Sequence, residues 1–444
     1  MLKRKALHSF EAWKEFKTKQ ALLVTGARQV GKTYLVREFA KNNYDHVVEI
    51  NLFENEDARA AFSSASNSKD LFLRISAYAN HPLIPHKTLI FIDEVQESKE
   101  VVTKIKFLLE REEFDYILSG SMLGVELKNI RSAPVGYLAT TEMFPLDFEE
   151  FCWANGIGEE VFAEVRRCFA ESQPVDDFIH KSLSDLFHRY LIVGGMPDAV
   201  QAFLESDNIQ RVRFLQKDIA QQYRADIAKY AGTSGRAIKR IYDVMPGQLS
   251  QQSKRFVVKD IEGHARISRY ENDFLWLADA NVALPVYNVK EPRYPLQLSM
   301  SATQFKLFFS DVGLLTYACG MDVVRDILSD RPDINFGAIY ENVVAQELRA
   351  HGFKGYYFKN RKLGELDFVI ERPSGQVLPI EVKSGKDYRR HRALDNVLST
   401  PNYGITKALV LYEGNVAVEG PVLYCPTYMV ACLLPPAPEM TASL

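Results

Sequence analysis

Gly26-Ala27-Arg28-Gln29-Val30-Gly31-Lys32-Thr33 follows the order G-x-x-x-x-G-K-[ST]. That order suits phosphate. Its glycines let backbone N–H groups face phosphate oxygens, and the helix that opens behind the loop adds a favourable dipole. Lys32 is placed to reach the β- and γ-phosphates, and the Thr33 hydroxyl to ligate Mg²⁺. Leu89-Ile90-Phe91-Ile92-Asp93-Glu94 is an apolar strand that ends in two acids. Asp93 is suited to hold Mg²⁺ through water and Glu94 to polarise an attacking water, which adds hydrolysis to nucleotide binding. Ser119 and Ser121 follow the strand DYIL; either they sense the γ-phosphate or they only punctuate a strand end.

A second set of charged residues lies near the C-terminus. Asp367 and Glu381 stand on two strands of a hairpin whose turn is Arg372-Pro373-Ser374-Gly375, and pairing about Ser374 sets them within about one position of each other. Lys383 projects from the same face as Glu381, and Glu365 from that of Asp367. Two carboxylates and a lysine suit a divalent cation and a charge that orients water. Glu341, on the preceding helix, is a candidate for a further oxygen ligand. The alternative is an outward strand face carrying an ion pair worth under about 1 kcal/mol. Lys386, Arg389, Arg390, His391 and Arg392 form a basic run that either grips a phosphate backbone or is a solvated helix face. Lys254, Arg255, Lys259, Arg266 and Arg269 form another basic set, which fits DNA or a protein surface.

The elements that must position these groups are legible as an α/β multidomain chain. From Ala21 to about Ser121, apolar runs alternate with amphipathic stretches, the βαβ rhythm of a parallel sheet covered by helices. Residues 1–145 are assigned to this P-loop core and residues 146–230 to a helical subdomain. In residues 231–325 a helix over 236–245, a break at Pro246 and Gly247, two more helices and the strand ALPVYNV predict a winged helix-turn-helix. In residues 326–444 a helix over 340–350 precedes GYYFKN, ELDFVIE, VLPIEVKSG and ALVLYEG, a further α/β domain.

Composition agrees with a folded chain. The 444 residues include 47% hydrophobic and 25% charged, and 54 Lys plus Arg stand against 57 Asp plus Glu, a net charge of −3. This balance argues against a wholly basic nucleic-acid protein, though not against a local basic face. Five scattered cysteines without C-x-x-C argue against a disulfide framework or a zinc site and point to a reducing cytoplasm. The N-terminus has no signal-peptide core, and no run of about 18 apolar residues suggests a membrane span.

On GARQVGKT, LIFIDEVQ, SGSMLG, FPLDFEEF, YLIVGGMPDAV, DIAKY and the pair ELDFVI and IEVKSG, the chain resembles bacterial and archaeal AAA-type ATP-binding proteins with a C-terminal domain of unassigned function. The resemblance spans nearly the whole length. It implies ATP with Mg²⁺ as cofactor, a helical lid in which Gly195 and Pro197 pack near the nucleotide, and an ATPase of the STAND and archaeal type. The C-terminal part resembles the PD-(D/E)xK phosphodiesterase superfamily, whose helix Glu, strand Asp and Glu-x-Lys fall on Glu341, Asp367, Glu381 and Lys383. This implies a second Mg²⁺ or Mn²⁺ there. The family's Gly-Arg is replaced by Ala133-Pro134-Val135-Gly136-Tyr137, which leaves Arg131 as the nearby arginine for a finger. Two functions follow: an ATPase whose nucleotide state controls a DNA-binding, nuclease-like module in DNA processing or defence, or a nucleotide-dependent switch whose C-terminal domain holds a protein without catalysis.

Overall fold

The computed structural model describes residues 2–121, 136–251, 253–258, 261, 269–329, 336–372 and 375–434. The chain is α/β and divides into two compact units, one of Arg4–Phe144 with Asp279–Asn281, the other of Met1–Lys3, Pro145–Ala278 and Val282–Leu444.

The first unit is built on a five-stranded sheet, β1 (Ala21–Gly26), β2 (His46–Asn51), β3 (Thr88–Asp93), β4 (Asp115–Ser119) and β5 (Leu138–Met143), in the order β2-β3-β4-β1-β5. All neighbours are parallel. Helices α1 (Ala6–Phe16), α2 (Lys32–Asn43), α3 (Glu56–Ser63), α4 (Ser68–Tyr78) and α5 (Lys99–Leu109) accompany it. The continuous apolar run of β3 is buried at every position, as a parallel strand covered on both faces requires. Ile90 and Ile92 pack with Ile105 and Leu108 of α5 and Leu71 and Ile75 of α4 in one core. The order of strands brings the ends of β1, β3 and β4, and therefore Gly26, Asp93 and Ser119, side by side.

The second unit begins with helices α6 (Phe148–Ala154), α7 (Glu159–Glu171), α8 (Asp177–Val193), α9 (Pro197–Ser206), α10 (Ile209–Tyr230) and α11 (Gly235–Leu249). The segment FPLDFEEF starts α6 by a reciprocal capping box between Asp147 and Glu150. Helix α11 continues through Pro246, where a break is expected from sequence, with the Ser250 amide and hydroxyl both bonded to the Pro246 carbonyl. Its strongly one-sided apolar face, Ile238, Ile241, Tyr242, Met245 and Leu249, is buried, and that packing outweighs the local cost of Pro. Lys259 and Arg266 lie outside the described residues.

After α12 (Glu271–Asp279) the unit carries β6 (Ala283–Val289), β7 (Met300–Phe309), α13 (Val312–Cys319), α14 (Met321–Leu328), α15 (Gly337–Ala350), β8 (Tyr356–Asn360), β9 (Gly364–Leu366), β10 (Phe368–Glu371), β11 (Val377–Val382), α16 (Arg392–Leu398), β12 (Ala408–Tyr412), β13 (Ala417–Glu419) and β14 (Val422–Pro426). The strand expected as part of a wing belongs to a four-stranded mixed sheet, β7-β6-β8-β9, and a five-stranded mixed sheet follows in the order β10-β11-β12-β14-β13. The stretch ELDFVIE, read as one strand from sequence, is two: β9 pairs with β8, and β10 pairs with β11. Asp367 sits at the crossing between the two sheets.

Candidate functional site

Strand β1 delivers the loop 26–33 between β4 and β5. Positive φ at Gly26 (140°), Gln29 (66°) and Gly31 (92°) bends it back on itself, and α2 opens at Lys32. At Gly26 a Cβ would stand 2.2 Å from the Met143 carbonyl oxygen. The Lys32 ammonium is buried and donates to the carbonyls of Gly26 at 3.1 Å and Ala27 at 2.8 Å. Burial lowers its pKa to about 8 against the opposing pull of Glu94 and Asp93. Phosphate oxygens would give this buried cation a stronger counter-charge than carbonyls do.

Thr33 Oγ1 donates to Asp93 Oδ2 at 2.7 Å. The Ser119 hydroxyl and, at 2.9 Å, the Glu94 amide donate to Asp93 Oδ1. Thr33 and Asp93 thus place two oxygens at one point, which fits a Mg²⁺ held by the hydroxyl and, through water, by the carboxylate. Glu94 adopts a left-handed backbone (φ 55°) that turns the chain out of β3, and its Oε2 is met by the Gln96 amide and by Ser121 Oγ at 3.5 Å. Sequence reasoning missed Gln96, although a polar residue two positions after Glu94 was visible.

It also missed Arg4. The Arg4 guanidinium donates to the carbonyls of Val30, at 2.9 Å, and Phe144, at 2.6 Å, tying the phosphate loop to the end of β5. Arg4→Met removes both of these donors, at about 1–3 kcal/mol. We expect it to lower the thermal midpoint of the nucleotide-free protein and ADP to restore part of the loss, both measurable by scanning calorimetry. Arg131 lies outside the described residues. Gly195 and Pro197 belong to the second unit. There the Gly195 amide donates to Asp311 Oδ2 at 2.6 Å, its carbonyl accepts from Leu146 at 2.7 Å, and Pro197 is the first residue of α9.

The C-terminal acids also come together. Phe368 pairs with Ile380, which places Asp367 and Glu381 on the next rung. Their carboxyls are close neighbours, and Asp367 Oδ2 accepts from the Val382 amide at 2.9 Å. Burial, then the neighbouring Asp367, pushes the Glu381 carboxyl well above the usual range, against the pull of Lys383. Lys383 Nζ is 3.5 Å from Glu381. Glu341, buried on α15, meets Lys254 at 2.6 Å and Lys306 at 3.3 Å. Glu365 meets Lys306 at 3.0 Å and Lys359 at 2.6 Å. Two carboxyls on one rung, one of them held high by burial and its neighbour, fit a divalent cation, which would offset their mutual repulsion.

The basic runs divide. Lys386, Arg389, Arg390 and Arg392 are exposed, Arg389 pairing with Glu419 at 2.9 Å. His391 is buried, bound to Tyr424 at 2.6 Å and Asp395 at 2.9 Å, and is part of the packing. Lys254 serves Glu341 instead of an exposed face.

Comparison with known proteins matches an AAA domain over residues 18–152, a domain of unknown function (DUF8612) over residues 184–324 and another (DUF4143) over residues 336–428. The chain is 20% identical over 394 residues to an uncharacterized protein of Methanocaldococcus jannaschii, covering 84% of this chain and 80% of that protein. Among solved structures it is similar to the Aeropyrum pernix Orc1 protein in complex with DNA, at 10% identity and a TM-score of 0.27, over 74% of this chain and 92% of that one. It is similar also to AMPPCP-bound DnaA from Aquifex aeolicus, at 13% identity and a TM-score of 0.30, over 63% of this chain and 84% of that one. The chain carries an AAA-type P-loop ATPase domain followed by two domains of unknown function. Among the described residues, no helix is long and apolar enough to cross a membrane.

Proposed function

We propose that this AAA-type chain is a Mg²⁺-dependent ATP hydrolase whose nucleotide state controls a nuclease-like, DNA-directed C-terminal module. In the ATPase half, Lys32 binds the β- and γ-phosphates, Thr33 and Asp93 hold Mg²⁺, Ser119 fixes the Asp93 carboxylate, and Glu94 orients the attacking water. Pro197 and the helices around it take the place of the lid. The backbone of Gly26, Ala27, Arg28, Gln29, Val30 and Gly31 cradles the phosphates.

The observation that carries the C-terminal half is the carboxyl pair of Asp367 and Glu381 beside Lys383. Asp367 and Glu381 would hold Mg²⁺ or Mn²⁺, which when bound supplies Lewis-acid polarisation of a phosphodiester. Lys383, within reach of Glu381, orients a water and offsets charge on the phosphate in the transition state. The exposed Lys386, Arg389, Arg390 and Arg392 supply phosphate contacts for a nucleic-acid strand. The test is incubation of plasmid, linear duplex and single-stranded DNA with the protein and Mn²⁺. Cutting should fall by about 10²–10⁴-fold in Lys383→Ala, the range for losing a positioned proton-handling group. Equal cutting by both proteins would overturn the assignment.

A second reading has its own support. Glu341, Glu365, Asp367 and Glu381 are met by Lys254, Lys306, Lys359 and Lys383, so charge around the acids is balanced without a metal. In that reading the domain binds a protein partner, and the ATPase half acts as its switch. No Mn²⁺ binding and no cutting, with ATP hydrolysis intact, is its signature.

A further inference from the structure

Lys306 stands on β7, far in sequence from the acids it meets. Its side chain is 1% exposed, yet its ammonium lies 3.0 Å from Glu365, 3.3 Å from Glu341 and 3.9 Å from Asp367. The ring of Tyr357 lies beneath it, 5.1 Å away. Glu341, Glu365 and Asp367 surround this buried ammonium as its counter-charges. Three acids from α15, β9 and the crossing between sheets therefore converge on one positive charge.

Asp367 is divided between two positions. Its Oδ1 faces Lys306, while on the rung beside Phe368 and Ile380 it also stands opposite Glu381, which pairs with Lys383. A carboxylate that faces two adjacent cation positions is what a two-ion phosphodiesterase centre needs to bridge its metals. Here an ammonium fills one of them. It meets Glu365 and Glu341 directly and faces Asp367 across 3.9 Å, and its tether keeps it from dissociating.

We propose that Lys306 takes the place of a second divalent cation, so that the centre binds one divalent ion only, at Asp367 and Glu381. The inference rests on the metal-dependent reading given above. Lys306 is then a positioning residue that holds Glu341 and Glu365 away from the ion. Removing its charge should open the second position to Mn²⁺, with Glu341 and Glu365 as new ligands.

The experiment counts tightly bound Mn²⁺ by electron paramagnetic resonance on the nucleotide-free full chain, carrying Asp93→Asn to silence the phosphate loop. The expected counts are one ion in this parent, none after Asp367→Asn, two after Lys306→Gln, and one again in Lys306→Gln with Glu341→Gln. Because Lys306→Gln leaves buried acids uncompensated, its thermal midpoint is also followed: Mn²⁺ should raise it more than it raises the parent's. Two ions in the parent, or a folded Lys306→Gln with one ion and no added Mn²⁺ stabilisation, would overturn the inference alone. No tight ion in the parent would overturn the metal-dependent reading itself, and this inference with it.

Discussion

Lys32→Ala should weaken ATP binding by about 30-fold to 4,000-fold, the range that corresponds to about 2–5 kcal/mol for truncating one partner of a buried, hydrogen-bonded charge pair. The size of the effect follows from where the ammonium sits. It is buried, donates to the Gly26 and Ala27 carbonyls, and has its pKa pulled down to about 8 in the absence of phosphate. Nucleotide phosphates replace those carbonyls with full charges. Glu94→Gln should behave differently: affinity stays within a few-fold while hydrolysis falls by about 10²–10⁴-fold, because only the transition state needs the carboxylate. Fluorescent-nucleotide titration and phosphate release separate the two. Unchanged affinity in Lys32→Ala would contradict the phosphate-loop assignment.

Gly195→Ala should destabilise the second unit by about 3 kcal/mol or more, combining overpacking with a broken buried hydrogen-bond set. A Cβ there would stand 2.0 Å from the Leu146 carbonyl oxygen and 2.7 Å from its nitrogen. Neither is the end of a flexible side chain. The same backbone donates to Asp311, accepts from Leu146, and lies against a carbonyl that also receives the Tyr190 hydroxyl at 2.6 Å. Any shift that relieves the clash breaks at least one of these. Gly247→Ala is the control: it lies in α11 with open space around it, and should stabilise by about 0.5–1 kcal/mol through reduced freedom of the unfolded chain. Denaturant unfolding of both variants decides the matter, and a Gly195→Ala midpoint equal to that of the parent would contradict this packing.

How much of this was readable beforehand differs between the two sites. The phosphate loop is local: strand, glycines, Lys32 and Thr33 follow one another, and the backbone alone arranges them. The rung of Asp367 and Glu381 was readable because a hairpin turn fixes register by counting. The splitting of ELDFVIE into β9 and β10 was not, since a crossing between sheets depends on partners that the strand does not encode. Lys306 was missed for a related reason. Within FKLFF a lone lysine passes for an outward residue of an alternating strand, and its three acids lie on elements formed much later in the chain. The available signal was its apolar surroundings: a lysine flanked on both sides by large apolar residues needs a counter-charge if the strand is buried. Helix α11 shows the same limit, because its buried face, not its local sequence, carries it through Pro246.

Coupling between ATP state and the C-terminal module is the central claim, and Glu94→Gln tests it most directly because it binds ATP without consuming it. The measurement is the rate of Mn²⁺-dependent DNA cutting by this variant with no nucleotide, with ADP and with saturating ATP, Lys383→Ala serving as the blank. The account predicts that ATP changes the rate by at least about tenfold relative to the nucleotide-free protein, a coupling of about 1.4 kcal/mol. Equal rates in all three states, with ATP binding verified in the same sample, would contradict it.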